Sequence, residues 1–200
     1  ARLATGVRAA RRNTSNNAPS CTRHTCALPS ANPDASLFNI NSTTGAVTFK
    51  NTPDYDSPAD NGGNNAYDIN VIATDSIGST SQSVVINVTN VNETPNITSG
   101  SIAYLAENST GTAYTATGID PDAGQTLSWS LSGSDAGLFN IDSSTGAVSF
   151  KNAPDYENPI DAGADNNYSI IVTATDNGSG NLNTTKAVAI VVTDVNEPPV

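Results

Sequence analysis

The run Thr89-Asn90-Val91-Asn92-Glu93-Thr94-Pro95 returns near the end of the chain as Thr193-Asp194-Val195-Asn196-Glu197-Pro198-Pro199. Each copy follows a β-branched run and offers acid and amide oxygens. Proline closes each copy, ending a strand and restricting the hinge. The recurrence marks a period. Residues 37–58 align without gaps to residues 138–159 at an offset of 101, with 16 of the 22 positions identical. The match continues from residues 67–75 to 168–176 and, after a three-residue insertion, from residues 84–95 to 188–199. A period near 100 is too long for a solenoid turn and fits one whole domain per repeat.

Inside the complete second copy, short alternating runs stand between turn signals. Leu127, Trp129 and Leu131 share one face; Phe139 and Ile141 follow, then Val148 and Phe150 beyond the turn Ser143-Ser144-Thr145-Gly146. Tyr168, Ile170, Val172 and Ala174 share the next face, and Val188, Ile190 and Val192 the last. With strands expected near residues 102–106 and 112–119, about seven strands fall in ~100 residues, the signature of an antiparallel β-sandwich. Trp129, in the middle of an alternating strand, reads as core. No window carries helical periodicity. The expected organisation is a foreign or disordered segment over residues 1–31, a partial domain over 32–95 and a complete one over 96–200.

Residues 1–31 contain five Arg and no acid, while the remainder sets three Lys against nineteen Asp and Glu, a balance of −16 within a chain of net charge −11. An acidic surface of this kind repels nucleic acid and anionic membranes and suits multivalent cations. No run approaches the ~18 apolar residues of a membrane span. With one His, two Cys and no Met, the chain is poor in ligands for transition-metal or redox chemistry. Cys21, His24 and Cys26 supply three zinc-type ligands where a structural site needs four, so they read as a pair of incidental thiols. Cross-links of the repeats are expected to be something other than disulfides. The first copy lacks a counterpart to residues 96–137, which would leave an open sheet; an altered reading frame or cloning junction upstream is the favoured explanation. The lack of an initiator Met reads as a piece of a longer chain.

Once strands are assigned, acidic clusters remain: Glu107-Asn108, Asp120-Pro121-Asp122, Pro154-Asp155-Tyr156-Glu157 and Asp176, with Asp54-Tyr55-Asp56 and Asp75 in the first copy. Two like charges about 4 Å apart at an effective dielectric near 20 repel by ~4 kcal/mol. Three readings stand side by side. The acids are solvated loop residues; or they are a hydrolase pair, which needs a cleft and one acid of raised pKa; or they hold calcium, which takes six to eight oxygens.

These motifs resemble those of the cadherin repeat family, especially the cadherin-like domains of large bacterial surface proteins. Five signatures stand in family order in the second copy: Ala106-Glu107-Asn108, the Asp120/Asp122 pair, Pro154-Asp155-Tyr156-Glu157, Ala174-Thr175-Asp176 and Asp194-Val195-Asn196-Glu197-Pro198-Pro199. The resemblance implies tandem seven-stranded Greek-key sandwiches, all-β, the first incomplete at its N-terminus, with Ca2+ between successive domains. It implies that Asp54 and Asp56, with Asn90, Asn92 and Glu93 of the linker and Asp120, Asp122 and Asp176, serve one joint. Glu107, Asp155, Glu157, Asp194, Asn196 and Glu197 would form a half-site for a following repeat. Asp75 would be left over from a preceding joint. The first copy lacks the Glu107 counterpart, and Asn90 and Glu93 stand where the family favours Asp, so weaker occupancy is expected there.

The function so implied is a calcium-rigidified spacer or adhesion module, extracellular or at a cell surface, with no catalysis. Its partners are neighbouring repeats, then a cell-surface protein or glycan; homophilic adhesion is the family's animal role. The alternative is an accessory module of a secreted enzyme that contacts carbohydrate, for which Tyr104 and Tyr114 are the only candidate aromatics. Sequons such as Asn87-Val88-Thr89 mean glycosylation only in a host that performs it.

Overall fold

The structure, a computed structural model, describes residue 21 and residues 24–198. The chain divides into two compact units, Ala1–Val91 and Asn92–Val200. The described residues form strands and two three-residue 3-10 turns, with no α-helix among them. None is thus long and apolar enough to cross a membrane.

In the first unit, β1 (Thr25–Ala27), β4 (Ala66–Thr74) and β5 (Ser79–Asn87) make an antiparallel sheet in the order β1-β4-β5. β2 (Phe38–Ile40) and β3 (Val47–Phe49) form a hairpin. The turn of that hairpin follows from its sequence. The Asn41 side-chain oxygen accepts the N–H groups of Thr43 and Thr44 at 3.0 and 2.9 Å, and Gly45 takes φ +71, a left-handed conformation that costs glycine little. Asp142, Ser144, Thr145 and Gly146 repeat the arrangement in the second unit.

The second unit contains β6 (Asn96–Ile97), β7 (Ile102–Ala106), β8 (Thr112–Thr115), β9 (Gly118–Ile119), β10 (Ser128–Ser132), β11 (Phe139–Ile141), β12 (Ala147–Phe150), β13 (Asn167–Thr175) and β14 (Asn183–Thr193). One sheet runs β10-β13-β14-β7, a second β11-β12-β8, and β6 pairs with β9. All pairings are antiparallel except β14 with β7. The run expected as one strand over 112–119 is broken: β8 joins β12, whereas β9 joins β6. Trp129, Val148, Tyr168, Ile170, Val172, Val188, Ile190 and Val192 lie buried between the sheets, the alternation foreseen for them. Each unit carries one aromatic trio at its centre. In Phe139, Phe150 and Tyr168, as in Phe38, Phe49 and Tyr67, the tyrosine meets both phenylalanines edge-on while the two phenylalanines are tilted, arrangements that aromatic rings favour.

The units differ at their flanks. β14 lies between β13 and β7, while β5 pairs with β4 alone among the described residues. Val84 and Ile86 are accordingly half-buried, where Val188 and Ile190 are fully buried.

Two expectations about residues 1–31 need correction. β1 lies inside that segment and pairs Cys26 with Ala73. Cys21 and Cys26 are not incidental thiols: they form a disulfide packed with Ala73 and Ile40. Cys26 occupies the place of Trp129, since each donates its N–H at 2.9 Å to the matching turn carbonyl, Ser42 or Ser143. A disulfide thus fills the volume that an indole fills in the other unit. The reading of residues 1–20, 22 and 23 lies outside the described residues.

Closing so short a loop restricts the unfolded chain by about 2 kcal/mol. Reduction, or Cys26→Ser, should therefore lower the stability of the first unit by about that amount. Amide exchange of β4 and β5 should accelerate while that of β13 and β14 stays unchanged. Equal acceleration in both units would refute this assignment.

Candidate metal centre

β13 and β14 are antiparallel, so Asp176, just after β13, and Asp194, just after β14, stand at opposite ends of the second unit's sheet. β7 is parallel to β14, which places Glu107 beside Asp194. The sequence-derived residues of this unit therefore fall into two groups.

At the Asp176 end the acids fasten the incoming chain. Asp176 is buried; one oxygen accepts the N–H groups of Gly178 and Leu182 at 3.0 Å, and the other accepts the Asn92 side-chain amide at 3.0 Å. The Asn92 oxygen in turn accepts from the Gln125 amide. Asp122, also buried, accepts the Glu93 N–H at 2.9 Å. Asp120 accepts the Asp122 N–H at 2.9 Å, and its second oxygen is buried with no hydrogen-bond partner. Such an orphan acceptor is costly unless a cation or water meets it. The Asp176 oxygen that meets Asn92 and the Asp120 oxygen that meets Asp122 each accept a single bond and keep a lone pair.

At the other end Glu107 is the organising group. It is only 3% exposed, and its two oxygens accept the N–H groups of Tyr156 and Val195, each at 2.8 Å. It thereby ties the loop after β12 to the tail after β14. Carboxylate oxygens of Glu107, Glu157 and Asp194 lie within 4.8 Å of one another. Asn108, at φ +61, donates its amide to Glu197 at 2.8 Å. Asp155 turns toward its own loop, accepting from the Glu157 and Asn158 N–H groups and the Asn158 amide. Asn196 is exposed on the tail.

The electrostatics follow from these contacts. The Tyr156 N–H, then that of Val195, hold Glu107 below the usual glutamate range. The Asn158 amide does the same for Asp155. Glu157 is pushed up, first by lost hydration and then by the charges of Glu107, Glu197 and Asp194. The cluster contains acceptor oxygens only, the donor set of hard cations such as calcium or magnesium. It contains no nucleophile–base pair.

In the first unit, Asp54 and Asp56 are exposed, the Asp56 N–H donating to Asp54 at 3.0 Å, and Asn90 is exposed at its end. Asp75 caps its own turn through the Ile77 and Gly78 N–H groups and lies 3.2 Å from His24. Tyr114, named as a candidate surface aromatic, is buried and donates to Ser99 and Gly100. It belongs to β8, the strand of the second sheet that pairs with β12.

Sequence reasoning missed the buried pair Asp135 and Asp161. Asp135 accepts from Ala162 and Ser169, and Asp161 from Gly163, Asp165 and Asn166. Together they pin the far limb of the loop that presents Asp155 and Glu157. Their counterparts Asp34 and Asp60 do likewise. The available signal was that both recur at the offset of 101.

Residues 101–193 match the family model described as a cadherin domain. The fold is similar to that of mouse cadherin-23 EC22-24, at 22% identity and a TM-score of 0.57, covering 86% of this chain and 53% of that one. It is also similar to Drosophila N-cadherin EC1-4 (21%, TM-score 0.64, 89% of this chain and 43% of that one). Human protocadherin-24 EC1-2 matches at 18% identity and a TM-score of 0.63, over 87% and 83% of the two chains. The chain thus spans about half the length of the first of these and less of the second. The second unit thus matches the cadherin-domain model over most of its length, and the fold is that of cadherin ectodomain structures. The chain is all-β among its described residues, as the sequence implied.

The raised Glu157 and lowered Glu107 act oppositely on stability. A carboxyl whose folded pKa is raised contributes stability below its unfolded pKa and loses it as pH rises through the folded value; Glu107 loses its contribution as pH falls. In chelator, carboxyl-carbon NMR titration should find Glu107 ionising first and Glu157 above the ordinary glutamate value. The reverse order would contradict the geometry.

Proposed function

We propose that this chain is a calcium-binding repeat segment of an extracellular or cell-surface protein, acting as a stiffened spacer within an adhesive array. The observation that carries this reading is the meeting of Glu107, Glu157 and Asp194 within 4.8 Å, with Glu107 buried. The residues present fit a hard divalent ion: all donors are oxygens, and Glu157 is short of positive charge. The ion would supply the positive charge that lets these carboxylates stay ionised side by side.

The chain's own part is positional. Glu107 fixes the loop at Tyr156 and the tail at Val195, so Glu157 and Asp194 are presented together before any ion arrives. Asp194 and Glu197 belong to the run leading out of β14, so ligation there restrains the tail against the sandwich. Stiffening of the exit toward a following repeat follows from that restraint. The same chemistry at the joint marked by residues 90–95, with Asp54, Asp56, Asn90, Asn92, Glu93, Asp120, Asp122 and Asp176, rests on sequence and on the oxygen-lined end formed by the last five.

Extracellular modules of this type bind calcium near 10⁻⁴–10⁻³ M. At about ten times Kd, calcium should stabilise the second unit by about 1.4 kcal/mol. Calorimetric titration of the full chain checks this, with magnesium as the weaker control. Glu157→Gln should remove most of the response while leaving chelator-treated protein as stable or more so, because that residue contributes chiefly repulsion there. No change in melting temperature up to several millimolar calcium would overturn the proposal.

A further inference from the structure

The stretch at Cys21, His24 and Cys26 supplies three zinc-type ligands, one short of a structural site. The fold supplies the fourth. β1 pairs with β4 so that Cys26 faces Ala73 and Thr25 faces Thr74. One step further along this ladder His24 stands opposite Asp75, and its Nε2 lies 3.2 Å from the Asp75 Oδ2. His24 and Cys26 are two residues apart along an extended segment, so their side chains leave it on the same side. Cys21 returns to that side, since its sulfur is joined to that of Cys26. Two sulfurs, an imidazole and a carboxylate thus gather at one end of the sheet β1-β4-β5.

The spacing suits a tetrahedral metal. Bonds of about 2.0–2.1 Å to nitrogen and oxygen set adjacent ligand atoms about 3.3 Å apart, close to the separation of His24 from Asp75. The Asp75 Oδ1 accepts the Ile77 and Gly78 N–H groups at 2.8 and 2.9 Å, which fixes the carboxylate with Oδ2 toward His24. Those groups, Ile77 first, also hold Asp75 below the usual aspartate range. The side chains of His24 and Asp75 are 33% and 34% exposed, which leaves a path from solvent. Sulfur with imidazole is the donor set of zinc and does not suit calcium.

The sandwich does not require these groups. In the second unit Ser128 faces Thr175 as Thr25 faces Thr74. That register puts Trp129 in the place of Cys26 and Leu127 in the place of His24. Only the acid is shared, and Asp176 accepts the Asn92 amide instead. One repeat thus sets apolar side chains where the other gathers metal-binding ones around the matching aspartate.

We propose that Cys21, His24, Cys26 and Asp75 form a zinc site when the disulfide is reduced. The loop closed by sulfur in oxidising surroundings is then closed by metal in reducing ones. The exchange balances. A dithiol supplies two electrons: its thiolate attacks one sulfur, the Cys21–Cys26 bond breaks, and the reductant leaves as its own disulfide. The two cysteine thiols lose their protons to solvent as they take up Zn2+. The metal adds a bond that the disulfide lacks, from the segment of β1 to Asp75 at the end of β4. None of this draws on the carboxylates around Glu107, so it stands apart from the calcium reading.

Zinc titration of the full chain by calorimetry, after reduction with a phosphine that brings no competing thiol, tests this. The expected result is one Zn2+ per chain with Kd below about 1 µM, bound by the reduced chain and not by the oxidised one. Amide exchange of β4 in the reduced chain should slow when zinc is added. Asp75→Asn and His24→Ala should each weaken binding at least about tenfold. Asp68→Asn, at an exposed acid of β4, should leave it unchanged. X-ray absorption of zinc on the unaltered reduced chain gives a readout that no misfolded variant can confuse. It should show two sulfurs at about 2.3 Å and two nitrogen or oxygen neighbours at about 2.0–2.1 Å. A reduced chain that takes up no zinc, zinc ringed by oxygen alone, or an Asp75→Asn chain that binds as tightly as the unaltered one would overturn the proposal.

Discussion

Carboxylates brought together by a fold repel, and this structure brings several together deliberately. Glu107 is the pivot. Its buried side chain takes two backbone N–H groups from segments distant in sequence, one leaving β12 and one leaving β14. Those two bonds hold Glu107 below the usual glutamate range and fix the segments that carry the exposed Glu157 and Asp194, whose carboxylates come within 4.8 Å of it. Glu157 is pushed up, first by lost hydration and then by these neighbouring charges. Oxygen-bearing side chains grouped in this way are the donor set of hard cations.

The opposite end of the second unit uses similar residues differently. Asp122 and Asp176 accept from Glu93 and Asn92, so the chain enters the unit already fastened by its own amides. Asp120 keeps a buried oxygen without a hydrogen-bond partner there, as does the Gln125 amide. The acids of one repeat therefore stand in two settings: some anchor backbone, and some are grouped with oxygens facing one another. Deeper in, Asp135 and Asp161 are wholly structural, each spent on loop N–H groups.

Much of this was legible in the sequence because alternation and internal repetition are strong signals. The inward positions Trp129, Tyr168, Ile170, Val188 and Ile190 were read correctly from period two alone. The motif order around Glu107, Asp122, Asp176 and Asp194 carried the family. Other features were not legible, for physical reasons. Tyr114 sits in a short strand whose alternation is too brief to reveal which side faces in. Cys26 does the work of Trp129 in a segment with no similarity to it, and only pairing with β4 exposes that equivalence. Asp155 matched the acidic motif, yet its carboxylate closes on Asn158, a choice of rotamer that spacing does not encode. Asp135 and Asp161 looked like ordinary loop acids because burial of a polar side chain depends on donors contributed from elsewhere.

Most directly decisive is anomalous diffraction from crystals of this chain grown in calcium. The account predicts an ion about 2.3–2.6 Å from oxygens of Glu107, Glu157 and Asp194, with the bonds from Glu107 to Tyr156 and Val195 intact. Crystals at millimolar calcium in which those three carboxylates splay apart into solvent, with no anomalous peak between them, would contradict it.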